Sequence, residues 1–145
     1  MKLLLTALLL SVQAFAAESQ NLQKIEDPQM LEQYKNAVYS AMAGKKLVNC
    51  RDMTGKAYEP TGSSIDLSGY PQAVLNRSAQ PVLTFSVSEG GGLWSISFST
   101  SPDFKTLISF VSRSYKTRSV NAGTIVDPNF VNQQYMSKQN TCDIQ

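Results

Sequence analysis

No histidine occurs anywhere in the 145-residue chain. That absence removes the Ser-His-Asp and Cys-His nucleophile systems together with the commonest metal ligand. No lysine stands three residues after a serine and no G-x-S-x-G is present, so other familiar serine nucleophiles are missing too. Nucleotide loops are equally absent: there is neither G-x-x-x-x-G-K-[ST] nor a G-x-G-x-x-G that opens a helix. With these signatures gone, the chain reads as leaning away from catalysis and carries no recognisable cofactor site. What could still support catalysis is a pair of carboxylates, as in glycoside hydrolysis. Asp52, Glu59, Asp66, Glu89, Asp103 and Asp127 are the candidates, scattered and mostly beside turns.

Charge of either sign is scarce, with 13 Lys and Arg against 11 Asp and Glu. Such a balance gives no support to nucleic-acid binding, which needs a strongly basic face. Nor does any block of like charges form a solvating tail. Long apolar runs are lacking as well. The longest, residues 3–10, is interrupted only by Thr6 and is shorter than the roughly 20 residues a spanning helix needs.

That one run has a different meaning. Lys2, the apolar stretch and Ala14-Phe15-Ala16 form a short positive start, an apolar centre and a small-residue exit, the layout of a secretory signal peptide. Cleavage after Ala16 is expected, which leaves 17–145 as one exported domain, periplasmic or secreted, with no membrane span. The only two cysteines, Cys50 and Cys142, both lie in that exported part. An even count in an oxidising compartment is expected to form one disulfide, and closing so long a loop stabilises a fold by roughly 4 to 5 kcal/mol. Two cysteines without histidine are too few for a zinc site.

Local patterns supply the fold. In EDPQMLEQYKNAVYSAMAGKK, Met30, Leu31, Tyr34, Ala37, Val38, Ala41 and Met42 recur at helical spacing, with Lys35 and Tyr39 assigned to the opposite side. Asp27 caps the start, Pro28 fits the first turn and Gly44 ends a helix expected over 28–43. KLVNCRDM reads as a strand over 47–53 with Val48 and Cys50 on one face. Gly and Pro punctuate 54–81, a stretch of turns with at most two short strands and the best ligand-facing loop in the chain.

In LTFSVSEGGGLWSISFSTS, residues 83–101, a turn over 89–92 sets Leu83 opposite Phe98, Phe85 opposite Ile96 and Val87 opposite Trp94. Hydroxyls then face hydroxyls, Thr84 to Ser97 and Ser86 to Ser95. A slip of one residue would destroy both sets of pairs. The glycines therefore serve a hairpin turn, not a phosphate cradle. On this register Trp94 is expected in the core beside Val87 and the helix; an exposed Trp94 would instead mark a ligand platform.

Farther on, TLISFVSRSYKTRSV is apolar on both faces from 107 to 111, which predicts a central strand or a bulge. A short strand is expected over 124–126, and the polar NQQYMSKQNT tail has only Cys142 to dock it. The fold class is α+β: an N-terminal amphipathic helix on a mostly antiparallel, disulfide-stapled meander.

For function, Arg113, Lys116 and Arg118 beside Tyr115 form the candidate partner-binding cluster, acting with the loop over 54–71. The partner expected is an exported or envelope protein or an anionic ligand. Two other readings stand beside it: charges that guard a sheet edge, and a structural envelope-associated protein with a hydroxyl-rich surface. Asn76-Arg77-Ser78 also has the form of a glycosylation acceptor.

Overall fold

The computed structural model describes residues 21–60 and 65–145. The expected signal peptide lies outside the described residues. Seven strands and one helix follow in the order β1 (Leu22–Ile25), α1 (Pro28–Met42), β2 (Leu47–Arg51), β3 (Gln72–Asn76), β4 (Val82–Glu89), β5 (Gly92–Thr100), β6 (Leu107–Asn121) and β7 (Phe130–Ile144). All seven strands join one antiparallel sheet in the order β1-β3-β4-β5-β6-β7-β2. From β3 to β7 this is a plain meander. The helix is what breaks the sequence, because it carries the chain from the β1 edge to the β2 edge. Among the described residues no helix is long and apolar enough to cross a membrane.

The helix begins where the sequence places it. The Asp27 carboxylate accepts from the Gln29 amide at 2.8 Å, Pro28 occupies the first turn, and Gly44 just beyond the end has φ +73°. Its buried stripe is rotated from the expected one, however: Leu31, Lys35 and Val38 point inward while Met30 is exposed. Lys35 is only 5 % exposed, its stem packed inward and its ammonium 3.3 Å from Glu32. A long aliphatic stem can cover apolar surface while its charged head finds a partner. The segment after residue 64 causes the rotation by filling the helix flank, with Leu67 fully buried and its amide donating to the Tyr39 hydroxyl at 2.8 Å.

The core lies between the helix and one sheet face, with Phe85, Phe98, Leu75 and Leu83 essentially inaccessible to water. Phe98 packs edge-on to Phe85 and tilted to Phe110, with centroids 6.4 and 5.7 Å apart. The β4–β5 register matches every pair expected, and the turn closes more tightly than expected. Glu89 pairs with Gly92, leaving Gly90 and Gly91 as a two-residue loop at φ +57° and +76°, the left-handed values a primed hairpin turn demands. The two-sided apolar run at the start of β6 is resolved by a bulge. Thr100 pairs with Leu107 where the ladder would reach Ile108, so Leu107 joins the core and Ile108 stays exposed.

Two expectations at the C-terminal end are corrected. Residues 124–126 form no strand; they belong to the loop between β6 and β7. The polar tail is itself a strand of 15 residues, paired with β6 from Phe130 to Asp143. Its Asn and Gln side chains gave no alternation to read, because the strand is exposed on both faces from Phe130 to Met136. The expected disulfide is present: Cys50 and Cys142, 92 residues apart, join β2 to β7 across adjacent strands, and both residues are buried.

Candidate functional site

β5 ends at Gly92, whereas β6 and β7 continue as a two-stranded ribbon beyond it. The last contact from that side is the Thr117 hydroxyl donating to the Gly91 carbonyl at 2.6 Å. On the other flank β2 bonds only to Thr141–Ile144, so β7 over 130–140 has a partner only in β6 among the described strands. The ribbon is thus a projecting arm, and three of the four residues singled out from sequence lie where it leaves the body.

A strand alternates its side chains, so the cluster divides. Arg113 and Tyr115 point to the face without the helix, where both are half-buried and Arg113 Nε donates to Gln139 at 2.9 Å. Lys116 and Arg118 point to the helix-side face, and both are exposed. Arg118 stacks over the Tyr135 ring at 5.2 Å and donates to Gln133 at 3.3 Å. Lys138, across from Ser114, adds a third cation to this face.

Trp94 belongs to the same face and is 40 % exposed, contrary to the core position expected for it. Burial fades along this face toward the turn, from Phe85 and Phe98 through Ile96 to Trp94, because the packed core ends before the hairpin does. The indole lies across Gly92, where a Cβ would meet Cη2 at 2.7 Å. Gly92 therefore has a different reason from its two neighbours: it leaves room for the ring. Together Gly90, Gly92, Trp94, Lys116 and Thr117 line a shallow cleft of about 300 Å³. An open indole beside the Lys116 ammonium, with the Arg118 guanidinium two residues farther along β6, can hold an apolar or planar group while the cations hold a negative one.

The described parts of the 54–71 loop, residues 54–60 and 65–71, do not join this surface. Its first part covers β2, with Ala57 bridging Arg51 and the Tyr58 amide donating to the Cys50 carbonyl at 3.1 Å. There Asn49, Cys50, Ala57, Tyr58 and Glu59 line a separate open cleft of about 490 Å³. That cleft lies at the Cys142 end of β7, seven residues from Tyr135, or roughly 24 Å at the usual strand rise. The last part of the loop goes into the core at Leu67.

Three of the six candidate carboxylates, Asp52, Asp66 and Asp103, are occupied locally. Asp52 accepts from the Thr54 hydroxyl and from the Thr54 and Lys56 amides, Asp66 from the Ser68 amide, and Asp103 from Ser101 and the Lys105 amide. These donors hold each carboxyl below its usual range, with the Thr54, Ser68 and Ser101 hydroxyls making the largest contributions. Each acid thus serves its own turn. Among the described residues no cluster of three acids or cysteines could hold a metal.

Sequence reasoning missed Tyr135 and Lys138, because recognising them requires knowing that the tail is a strand and where it pairs. For Trp94 a signal was present: it stands two residues after the glycine run, near the end of its hairpin. Compared with protein-family models, with curated protein sequences and with solved structures, the chain matches none.

Proposed function

We propose that this is an exported, non-catalytic binding protein that holds an anionic partner on the helix-side face of the ribbon. Trp94 and Tyr135 provide contact area, and Lys116 and Arg118 provide charge. The observation that carries the reading is the open indole of Trp94 laid over Gly92 beside Lys116. The one ion pair among the described residues is Lys35 with Glu32, so the ribbon cations have no carboxylate partner there. Export rests on the signal-like N-terminus and agrees with the buried disulfide.

A structural envelope role is the second reading, supported by the opposite sheet face. There Thr84 bonds Ser97 at 2.8 Å and Ser109 bonds Ser99 at 3.0 Å, so the hydroxyls of this face are paired with one another and half-buried or buried, and they ask for no ligand. A carboxylate-dependent hydrolase is the weakest of the three, since Asp52, Asp66 and Asp103 are each bound within separate turns.

Capture from exported material with wild type and two variants as baits separates these readings. Reversing Lys116 and Arg118 to Glu should release an anionic partner, with the difference from wild type largest at low salt. Reversing Arg113 to Glu, on the other face, should not. Identical retention by wild type and the Lys116/Arg118 variant at both ionic strengths would favour the structural reading.

A further inference from the structure

The far end of the ribbon reverses the usual placement of polar and apolar groups. Ile125 is 97 % exposed, Val126 94 % and Phe130 67 %, with Val131 also open. Scattered exposed apolar residues are ordinary, but four grouped at one tip, two of them almost fully exposed, mark a contact site. They also surround the tip: Phe130 and Val131 are consecutive strand residues and so point to opposite faces.

Meanwhile the loop amides of Ala122, Gly123, Thr124, Asp127 and Asn129 are all bonded within the loop. Asn121 Oδ1 accepts from the Gly123 and Asn129 amides at 2.9 and 3.0 Å, and its Nδ2 donates to the Thr124 carbonyl. The Ala122 amide donates to the Asn129 carbonyl, the Thr124 amide to the Asp127 carbonyl, and the Asp127 amide to the Thr124 hydroxyl. A Cβ on Gly123 would run into the Asp127 carbonyl and lie 2.8 Å from the Asn129 nitrogen, so only glycine permits this folding.

We infer that this tip seats the protein in the surface of an anionic lipid membrane. With five of its amides held inside, the loop presents Ile125, Val126 and Phe130 as its outermost groups, the apolar side an interfacial anchor lays into the boundary between headgroups and acyl chains. The charge pattern fits as well. Between 116 and 138 the charged side chains are Lys116, Arg118, Lys138 and the single acid Asp127. Arg118 lies three pairs behind Asn121, roughly 10 Å at the usual strand rise. Interfacial elements enter about 5 to 10 Å, which brings Arg118 and Tyr135 to headgroup level. Asp127 is the one group that opposes this.

The inference deepens the proposed function by naming a lipid surface as the anionic partner, and its test separates the two. Full-length exported protein is floated with vesicles of phosphatidylcholine alone and of equal parts phosphatidylcholine and phosphatidylglycerol. Wild type should float with the mixed vesicles, tenfold or more above Ile125→Ser/Val126→Ser/Phe130→Ser, and Asp127→Asn should float better than wild type. In a Trp94→Phe background, Phe130→Trp should give an emission that moves to the blue on mixed vesicles. Equal flotation of wild type and tip variant, no flotation of wild type, or an unmoved emission from the introduced indole would each overturn the lipid inference. If soluble polyanions still bind through Lys116 and Arg118 in that event, the proposed function survives without it. Loss of both would remove both.

Discussion

The indole of Trp94 lies across Gly92, closely enough that a single added methyl group would meet Cη2 at 2.7 Å. Gly92→Ala should therefore displace the ring while leaving the Gly90–Gly91 turn intact, since their positive φ values are unaffected. Trp94 is the chain's one tryptophan, so its emission reports this directly. A changed emission maximum with an unchanged far-UV spectrum is expected.

Trp94→Ala should cost well below the roughly 3 to 5 kcal/mol typical of a buried aromatic, whereas Phe98→Ala should reach that range. Trp94 is 40 % exposed and Phe98 is wholly buried between Phe85 and Phe110. Denaturant titration of both variants checks the ordering.

The Cys50–Cys142 bridge cross-links the last strand to β2. Replacing both cysteines by Ser should lower stability by about 4 kcal/mol, the loop-closure expectation for this length. Strand β2 should then exchange its amide protons first, because only β7 and the single Ala57 bridge hold it. Hydrogen exchange resolved by residue provides the measurement.

Acid should loosen the turns. Asp52, Asp66 and Asp103 have folded-state values below the unfolded one, so their contribution is fully present above about pH 4. It is lost as pH falls through the depressed values below that. Stability curves measured from neutral pH into strong acid should steepen below about pH 4, and Asp103→Asn should show a smaller acid-dependent loss.

Much of the fold was legible because its signals were local. Asp27, Pro28 and Gly44 define the helix by capping chemistry, and the β4–β5 register follows from alternation about the glycines. What escaped depended on partners distant in sequence. Lys35 is inward because Leu67 and the segment around it fill the other flank of the helix, which no spacing in the helix records. β7 was hidden because a strand exposed on both faces has no apolar period, and only its pairing with β6 defines it. The cationic cluster was readable as composition, but its division between two faces needed Arg113 to Arg118 to be recognised as one continuous strand.

Titration of Trp94 fluorescence with a polyanion such as polyphosphate, at low and high salt, tests the binding proposal most directly. A saturable change that weakens with added salt, and that disappears in Lys116→Glu/Arg118→Glu but persists in Arg113→Glu, is the expected result. A signal that polyphosphate leaves unmoved at low salt, or that responds alike in all three proteins, would contradict it.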